Sequence, residues 1–202
     1  HVLASEKIPQ GIDWRFRLGG DWGTASPSVA ILLGQHPSGD IVALDEVDTA
    51  YDPNDLTKGD GSSPPAWAEA ITQMLLRWGI KPHKIRGAMD DARGLQSDTV
   101  ISLLRRSGLY FHKPRQKDRT GGWVLLRQML NAAKDKEGPG LYISTRCPHL
   151  IETLPEAPRG ILRPEDVDPR WRADHWLDAL VYGARDIYPI NQVTCGSTTG
   201  MY

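Results

Sequence analysis

Two apolar runs, SVAILLG (residues 28–34) and DIVALDEV (residues 40–47), are joined by QHPSGD, in which Pro37, Ser38 and Gly39 are turn formers. Runs this short, this apolar and this close together pair as an antiparallel hairpin, because the linker is too short for a crossover. The preceding DWRFRLGGD, Asp13 to Asp21, alternates as a strand up to its glycines and extends the hairpin to a three-stranded antiparallel meander. The polar stretch DPNDLTKGDGSSPP (52–65) reads as a loop. After it, Trp67, Ala70, Ile71, Met74, Leu75 and Trp78 mark an amphipathic helix closed by Gly79. From there the pattern changes to strand–helix alternation: KIRGAMD (84–90), LQSDTVISLLRRSG (95–108), LYFHK (109–113), GWVLLRQMLNAAK (122–134) and GLYIS (140–144). Alternation of this kind implies parallel crossovers, so the expected fold is α/β, a mixed sheet that starts antiparallel, continues parallel and is flanked by helices. Residues 1–10 read as a linker remnant, 11–190 as one domain, and 191–202 as a flexible tail.

Chain length suits a single domain: 202 residues, 40% of them hydrophobic, fill one core. Two cysteines (Cys147 and Cys195), no signal peptide and no apolar run near the ~18 residues of a membrane span point to a soluble protein of a reducing cytoplasm, with no membrane partner. A formal net charge of −1 excludes a polycation that coats nucleic acid without discrimination, but leaves room for a local basic patch. The densest basic run is KPRQKDR, Lys113 to Arg119. It follows a strand on the side where parallel sheets bind ligands, so Lys113, Arg115, Lys117 and Arg119 are expected to contact phosphates.

Acidic residues fall at the ends of elements. Asp21 closes the first strand, Asp90 and Asp91 close the first strand of the second half, and ADHWLDALVYGARDI (173–187) carries Asp174, His175 and Asp178 on one face. Trp176, Leu177, Leu180, Val181 and Ala184 form the buried stripe of that helix, and if it packs with its acidic face at the strand ends, carboxylates distant in sequence converge on one point. Carboxylates brought together repel and raise one another's pKa unless cations sit among them. Hard divalent ions such as Mg²⁺ prefer oxygen ligands. A pair of them ~3.5–4 Å apart activates a water and stabilises the leaving oxygen of a phosphodiester. The implied chemistry is metal-dependent hydrolysis of nucleic acid, with His175 suited to moving a proton and Asp174 to joining the metal shell or holding His175. Glu46, which ends a strand beside Asp45, is ambiguous: it could approach the metals, but an exposed strand-end charge is the favoured reading. Cys147 and His149 lack a second pair at zinc-ligand spacing and read as a structural cysteine and a capping or surface histidine, and Trp67, Trp78, Trp123 and Trp176 as core.

In this order, GGDWGTASPSVAILLG, GDIVALDEV, AMDDARG, ISTRCPHLIETLP and ADHWLDALVYG resemble the segments of the nuclease domain of the large terminase subunit of tailed bacteriophages, across about Asp13 to Ile187. The resemblance implies an RNase H-like fold and a nuclease cutting double-stranded DNA during genome packaging in the host-cell cytoplasm. By the same resemblance Asp21, Asp90 and Asp178 are metal ligands for two Mg²⁺ or Mn²⁺ ions, with His175 and Asp174 beside them. Either member of the Asp90–Asp91 doublet could be the ligand; Asp90 is favoured, since Asp91 then occupies the small or proline position and Ala92 the alanine position. The implied partners are DNA, the portal protein, the small terminase subunit and an ATPase domain. No G-x-x-x-x-G-K-[ST] loop is present, so the chain is expected to be the nuclease half alone. Other readings are an RNase H-like nuclease of the resolvase or RNase H type, and a non-catalytic metal-binding docking module.

Overall fold

The structure, a computed structural model, describes residues 1–9, 11–91, 98–114 and 118–188. Ala92, Arg115, Lys117, Cys195 and the expected tail lie outside the described residues. Strands β2 (Arg15–Asp21), β3 (Val29–Gln35) and β4 (Ile41–Asp48) form the antiparallel meander read from the sequence, with Asp21 opposite Val29 and Val29 opposite Asp48. Strands β7 (Arg86–Met89), β8 (Tyr110–His112) and β9 (Leu141–Ser144) join in parallel, β7 beside β2 and β9 beside β4. The sheet order is β1-β9-β4-β3-β2-β7-β8.

Two expectations are corrected. The first residues are not a loose remnant: β1 (Val2–Leu3) pairs in parallel with β9, and Ile8 is buried among the core residues. Within the expected 52–65 loop, β5 (Ala50–Asp52) and β6 (Asp55–Gly59) make a second, two-stranded sheet. Asp52 and Asp55 anchor its turn by accepting backbone N–H groups two residues on, and Leu56 is buried, which gives a polar stretch enough purchase to fold.

Both faces of the sheet are covered, which is why β3 is apolar throughout instead of alternating. Helices α1 (Pro64–Arg77) and α2 (Val100–Arg106) cover one face over Ala30, Leu32 and Leu44. Helices α3 (Arg119–Asp135), α4 (Pro148–Glu156) and α5 (His175–Ile187) cover the other over Val29, Ile31, Leu33, Ile41 and Ala43. Trp67, Trp123 and Trp176 are core residues; Trp78 is half-buried at the end of α1 and donates Nε1 to Asp45. Helix α3 starts three residues before the apolar run that announced it, because Asp118 accepts the Gly121 N–H and supplies the N-cap. Arg119 therefore opens a helix and does not belong to the preceding loop.

Helix α5 sets the functional geometry. It crosses β2 so closely that a Cβ at Gly19 would lie 2.8 Å from the Gly183 nitrogen, and one at Gly183 would lie 2.9 Å from the Gly19 nitrogen. Only a glycine pair permits that approach. At its far end Asp186 takes Arg17 of β2 at 3.1 Å and His112 of β8 at 3.1 Å. The helix runs against the direction of β2, so its N-terminal turn lies over the C-terminal end of the strand.

Candidate active site

Asp21 lies two residues beyond Gly19 and so faces α5, as Gly19 does, because side chains alternate along a strand. Asp178 lies in the first turn of α5, reached from Gly183 toward the helix start. His175 Nδ1 and Asp21 Oδ2 are 2.5 Å apart, which joins strand end to helix start across 154 residues of sequence. Gly20 pairs with Met89, so Asp90, the residue after β7, leaves the sheet beside the end of β2 where Asp21 lies.

Alternation also separates the acidic doublet. Met89 packs on the α1 side, which sends Asp90 toward α5 and Asp91 toward α2. Asp91 is accordingly sequestered: its carboxylate is 7% exposed, accepts the Ile101 N–H at 3.4 Å and pairs with Lys113 Nζ at 3.3 Å. Asp90 is exposed and its Oδ1 accepts only the N–H of Asp91 among the described residues.

The electrostatics follow from this crowding. Burial pushes Asp178 up to about 7; Arg119 and His175 pull it down, and Asp21 and Asp174 push it further up. For His175, burial opposes the imidazolium, but the hydrogen bond to Asp21 and the charges of Asp21, Asp174 and Asp178 outweigh it and raise the pKa above the ordinary histidine value. Tyr182, one turn beyond Asp178 on α5, is raised by burial and then by Asp178, Asp21 and Asp90, so its hydroxyl lies in the field of all three acids. No sequence pattern singled out Tyr182 as functional, although its i+4 spacing from Asp178 was legible.

Arg119 reaches in from α3. Its terminal nitrogen donates to Asp174 Oδ2 at 2.7 Å, and its Nε lies 3.2 Å from Asp178 Oδ1 and 3.8 Å from Asp166 Oδ1. That Nε is buried and makes no hydrogen bond, so Arg119 lowers the Asp178 pKa through its nearby charge, without a donor aimed at the carboxylate. The expected phosphate contacts are thus placed unevenly: Lys113 and Arg119 are each paired with site carboxylates, and Arg115 and Lys117 lie outside the described residues. The donor set fits hard cations. It consists of carboxylate oxygens with one imidazole, and Asp178 is held near neutrality for want of positive charge.

A second acidic group lies at the same sheet edge, two strands from Asp21. Glu46, expected to be exposed, is buried. Its oxygens accept the N–H groups of His149 (2.7 Å) and Leu150 (3.2 Å) at the start of α4, and burial raises its pKa to about 8. Asp48 pairs with His149 Nδ1 at 2.7 Å. The ligand atoms of Glu46, Asp48 and His149 all lie within 4.8 Å of one another, a spacing that a divalent ion fits. Sequence reading missed this cluster because Glu46, Asp48 and His149 are joined only through the β4–α4 packing. Cys147 is buried with its thiol directed at the Ala43 carbonyl.

Comparison with protein-family models gave no match, and none was found among curated proteins. Solved structures did match. The nuclease domain of the P22 large terminase superposes with a TM-score of 0.61 at 14% identity, covering 90% of each chain. The large terminase of the thermophilic bacteriophage D6E superposes at 0.64 and 22% identity over 90% of this chain. This chain has the RNase H-like fold of the large terminase nucleases. The nuclease of the thermophilic phage G20c, solved with bound magnesium, shares it at 0.51 and 14% identity, covering 86% of this chain and 82% of that one. The chain spans 41% of the length of the D6E protein. Among the described residues no helix is long and apolar enough to cross a membrane.

Proposed function

We propose that this terminase-like nuclease fold is a metal-dependent endonuclease that cuts double-stranded DNA during viral genome packaging. The observation that supports the reading is the 2.5 Å contact of Asp21 with His175, with Asp178 near enough to feel the Asp21 charge and with Asp21, Asp90 and Asp178 all acting on Tyr182. Metal binding is supported by the donor set and by the magnesium in the G20c nuclease, whose fold is similar. Two ions, Mg²⁺ or Mn²⁺, would supply water activation and stabilisation of the leaving oxygen when bound.

The chain's own residues do the rest. Asp21 engages His175 through Oδ2 and has Oδ1 for an ion. Asp90, just after β7, and Asp178, in the first turn of α5, would complete the ligand set, with Asp174 hydrogen-bonded by Arg119. His175, its Nδ1 fixed by Asp21, moves a proton at Nε2 to or from the reacting oxygens. Lys113, Arg115, Lys117 and Arg119 hold backbone phosphates, and Asp91 positions Lys113 at the edge of the site. An ATPase domain, a small terminase subunit and a portal protein are the partners that packaging requires.

The test is incubation of the purified chain with supercoiled plasmid, in chelator and with Mg²⁺ or Mn²⁺ added. Nicked and linear products with either ion, and none in chelator or with Asp21→Asn, are expected. Intact plasmid under every condition, from a protein whose melting temperature rises with Mn²⁺, would favour the docking-module reading. Preferential cleavage of an RNA–DNA hybrid or of branched DNA would favour the other RNase H-like nucleases.

A further inference from the structure

Arg119 is an unusual neighbour for a metal site, since its fixed positive charge stands where cations must come. It is also well anchored. Asp118 caps α3 through the Gly121 N–H, and Arg185 in the last turn of α5 donates to the Asp118 carbonyl at 2.5 Å, which ties the start of α3 to the end of α5 and leaves the long Arg119 side chain to reach back to the acids at the helix start. The guanidinium is then shared among Asp174, Asp178 and Asp166, with one good hydrogen bond, to Asp174, and an Nε that faces Asp178 without bonding it. The side chain as a whole is 34% exposed, although its Nε is buried.

Taking these together, and resting on the nuclease reading above, we infer that Arg119 couples metal binding to DNA binding, suppressing ion affinity at Asp178 until a backbone phosphate takes up its charge. Without DNA, an ion on Asp178 stands beside a guanidinium and the two repel. Asp174 holds the guanidinium there through its hydrogen bond, while the Asp178 contact, having no aligned donor, is the one that yields. A phosphodiester is a better partner than a shared carboxylate, because a planar guanidinium can meet it with two parallel hydrogen bonds. Once the phosphate neutralises Arg119, the repulsion falls and Asp178 accepts the ion. By thermodynamic reciprocity the ion tightens DNA binding by the same factor. An unloaded domain thus carries few ions and cuts little, and DNA assembles the site on itself.

Titration calorimetry with Mn²⁺ on the DNA-free protein, and with Ca²⁺ in the presence of a short duplex, separates the alternatives. Arg119→Gln is expected to bind Mn²⁺ without DNA on the order of 5- to 100-fold more tightly than the wild type, the range of ordinary coupling energies. The duplex is expected to raise Ca²⁺ affinity in the wild type and to leave it unchanged in Arg119→Gln. Arg119→Lys, which keeps the charge, retains weak DNA-free binding and guards against a folding defect in the glutamine variant. Weaker Mn²⁺ binding by Arg119→Gln without DNA overturns the inference, because Arg119 then merely orients Asp178; so does undiminished coupling between duplex and Ca²⁺ in that variant. Asp178→Asn is the control for the underlying reading: full metal affinity in that protein removes the metal site itself, whatever the arginine variants do.

Discussion

Replacing Asp178 by asparagine should stabilise the metal-free protein while abolishing its chemistry. The carboxylate is only 16% exposed, and burial, with Asp21 and Asp174, lifts its pKa from 3.8 to about 7. A raised acid binds its proton more tightly folded than unfolded. Between pH 4 and pH 7 the unfolded chain therefore gives up this proton first, and stability falls as pH rises. Above pH 7 the loss is complete and constant. A gap of about three pH units, at about 1.36 kcal/mol each, sets an upper bound of about 4 kcal/mol. Asparagine keeps the shape and removes the charge, though its amide must also be buried, so a gain of about 2 to 4 kcal/mol at pH 8 is expected. For a chain of this length that is roughly 5 to 15 °C in melting temperature. The assay is a thermal melt in chelator at pH 4.5, 6 and 8, repeated with saturating Mn²⁺. The variant's advantage should be small at pH 4.5, grow to full size by pH 8, and shrink or reverse with Mn²⁺, which stabilises only the protein that binds it. An Asp178→Asn protein that melts below the wild type in chelator at pH 8 would refute the reasoning, since the carboxylate would then be a net structural contributor.

Four further outcomes are expected. Gly183→Ala, which sets a methyl group 2.9 Å from the Gly19 nitrogen, should cost about 3 kcal/mol or more by denaturant unfolding and reduce cleavage as α5 lifts from β2. Asp90→Ala should abolish plasmid cleavage with little change in melting temperature. Asp91→Ala should retain cleavage but lose about 1 to 3 kcal/mol, because it strips the Ile101 N–H and Lys113 of a buried acceptor; the reverse ranking in the two assays would move the metal ligand to Asp91. Neutralising Lys113, Arg115 and Lys117 together should flatten the plot of log DNA affinity against log salt by about 0.9 for each phosphate that the variant no longer neutralises, and an unchanged slope would return the run to an ordinary solvated loop.

The sheet was legible because its signals are local. A six-residue turn between two apolar runs dictates β3 and β4, and helical spacing of Trp67, Ile71, Met74 and Leu75 dictates α1. The β5–β6 hairpin was not, since its residues are polar and its support comes from aspartates accepting backbone N–H groups two positions on. Of the site, Asp21, His175 and Asp178 were visible as acidic or titratable residues at element ends, and the structure brings them together. Glu46 was misread because a carboxylate at a strand end looks solvated until the start of α4 is packed on it. Arg119 was read as part of a basic run, a one-dimensional view; Asp118 capping turns it into the first residue of a helix that points back at the acids. Charge runs report composition, whereas the capping residue decides which side of a boundary a charge falls on.

The features that make the acids tolerable without ions are the same ones that set how tightly ions bind. Asp178 occupies the first turn of α5, where the unpaired N–H groups and the helix dipole favour negative charge. Arg119 adds a full positive charge at 3.2 Å, and His175, whose pKa is raised by its hydrogen bond to Asp21 against the opposing effect of burial, adds another when protonated. Even so Asp178 titrates near 7, so these three contributions fall short of offsetting its burial. Had they sufficed, an arriving dication would have gained little by replacing them. Had they been absent, burial would hold the proton on Asp178 more tightly still, and an ion would first have to displace it. Partial neutralisation leaves a site that folds without metal and still draws metal. The surplus of negative charge that remains is what an ion, and behind it a phosphate on Arg119, can use.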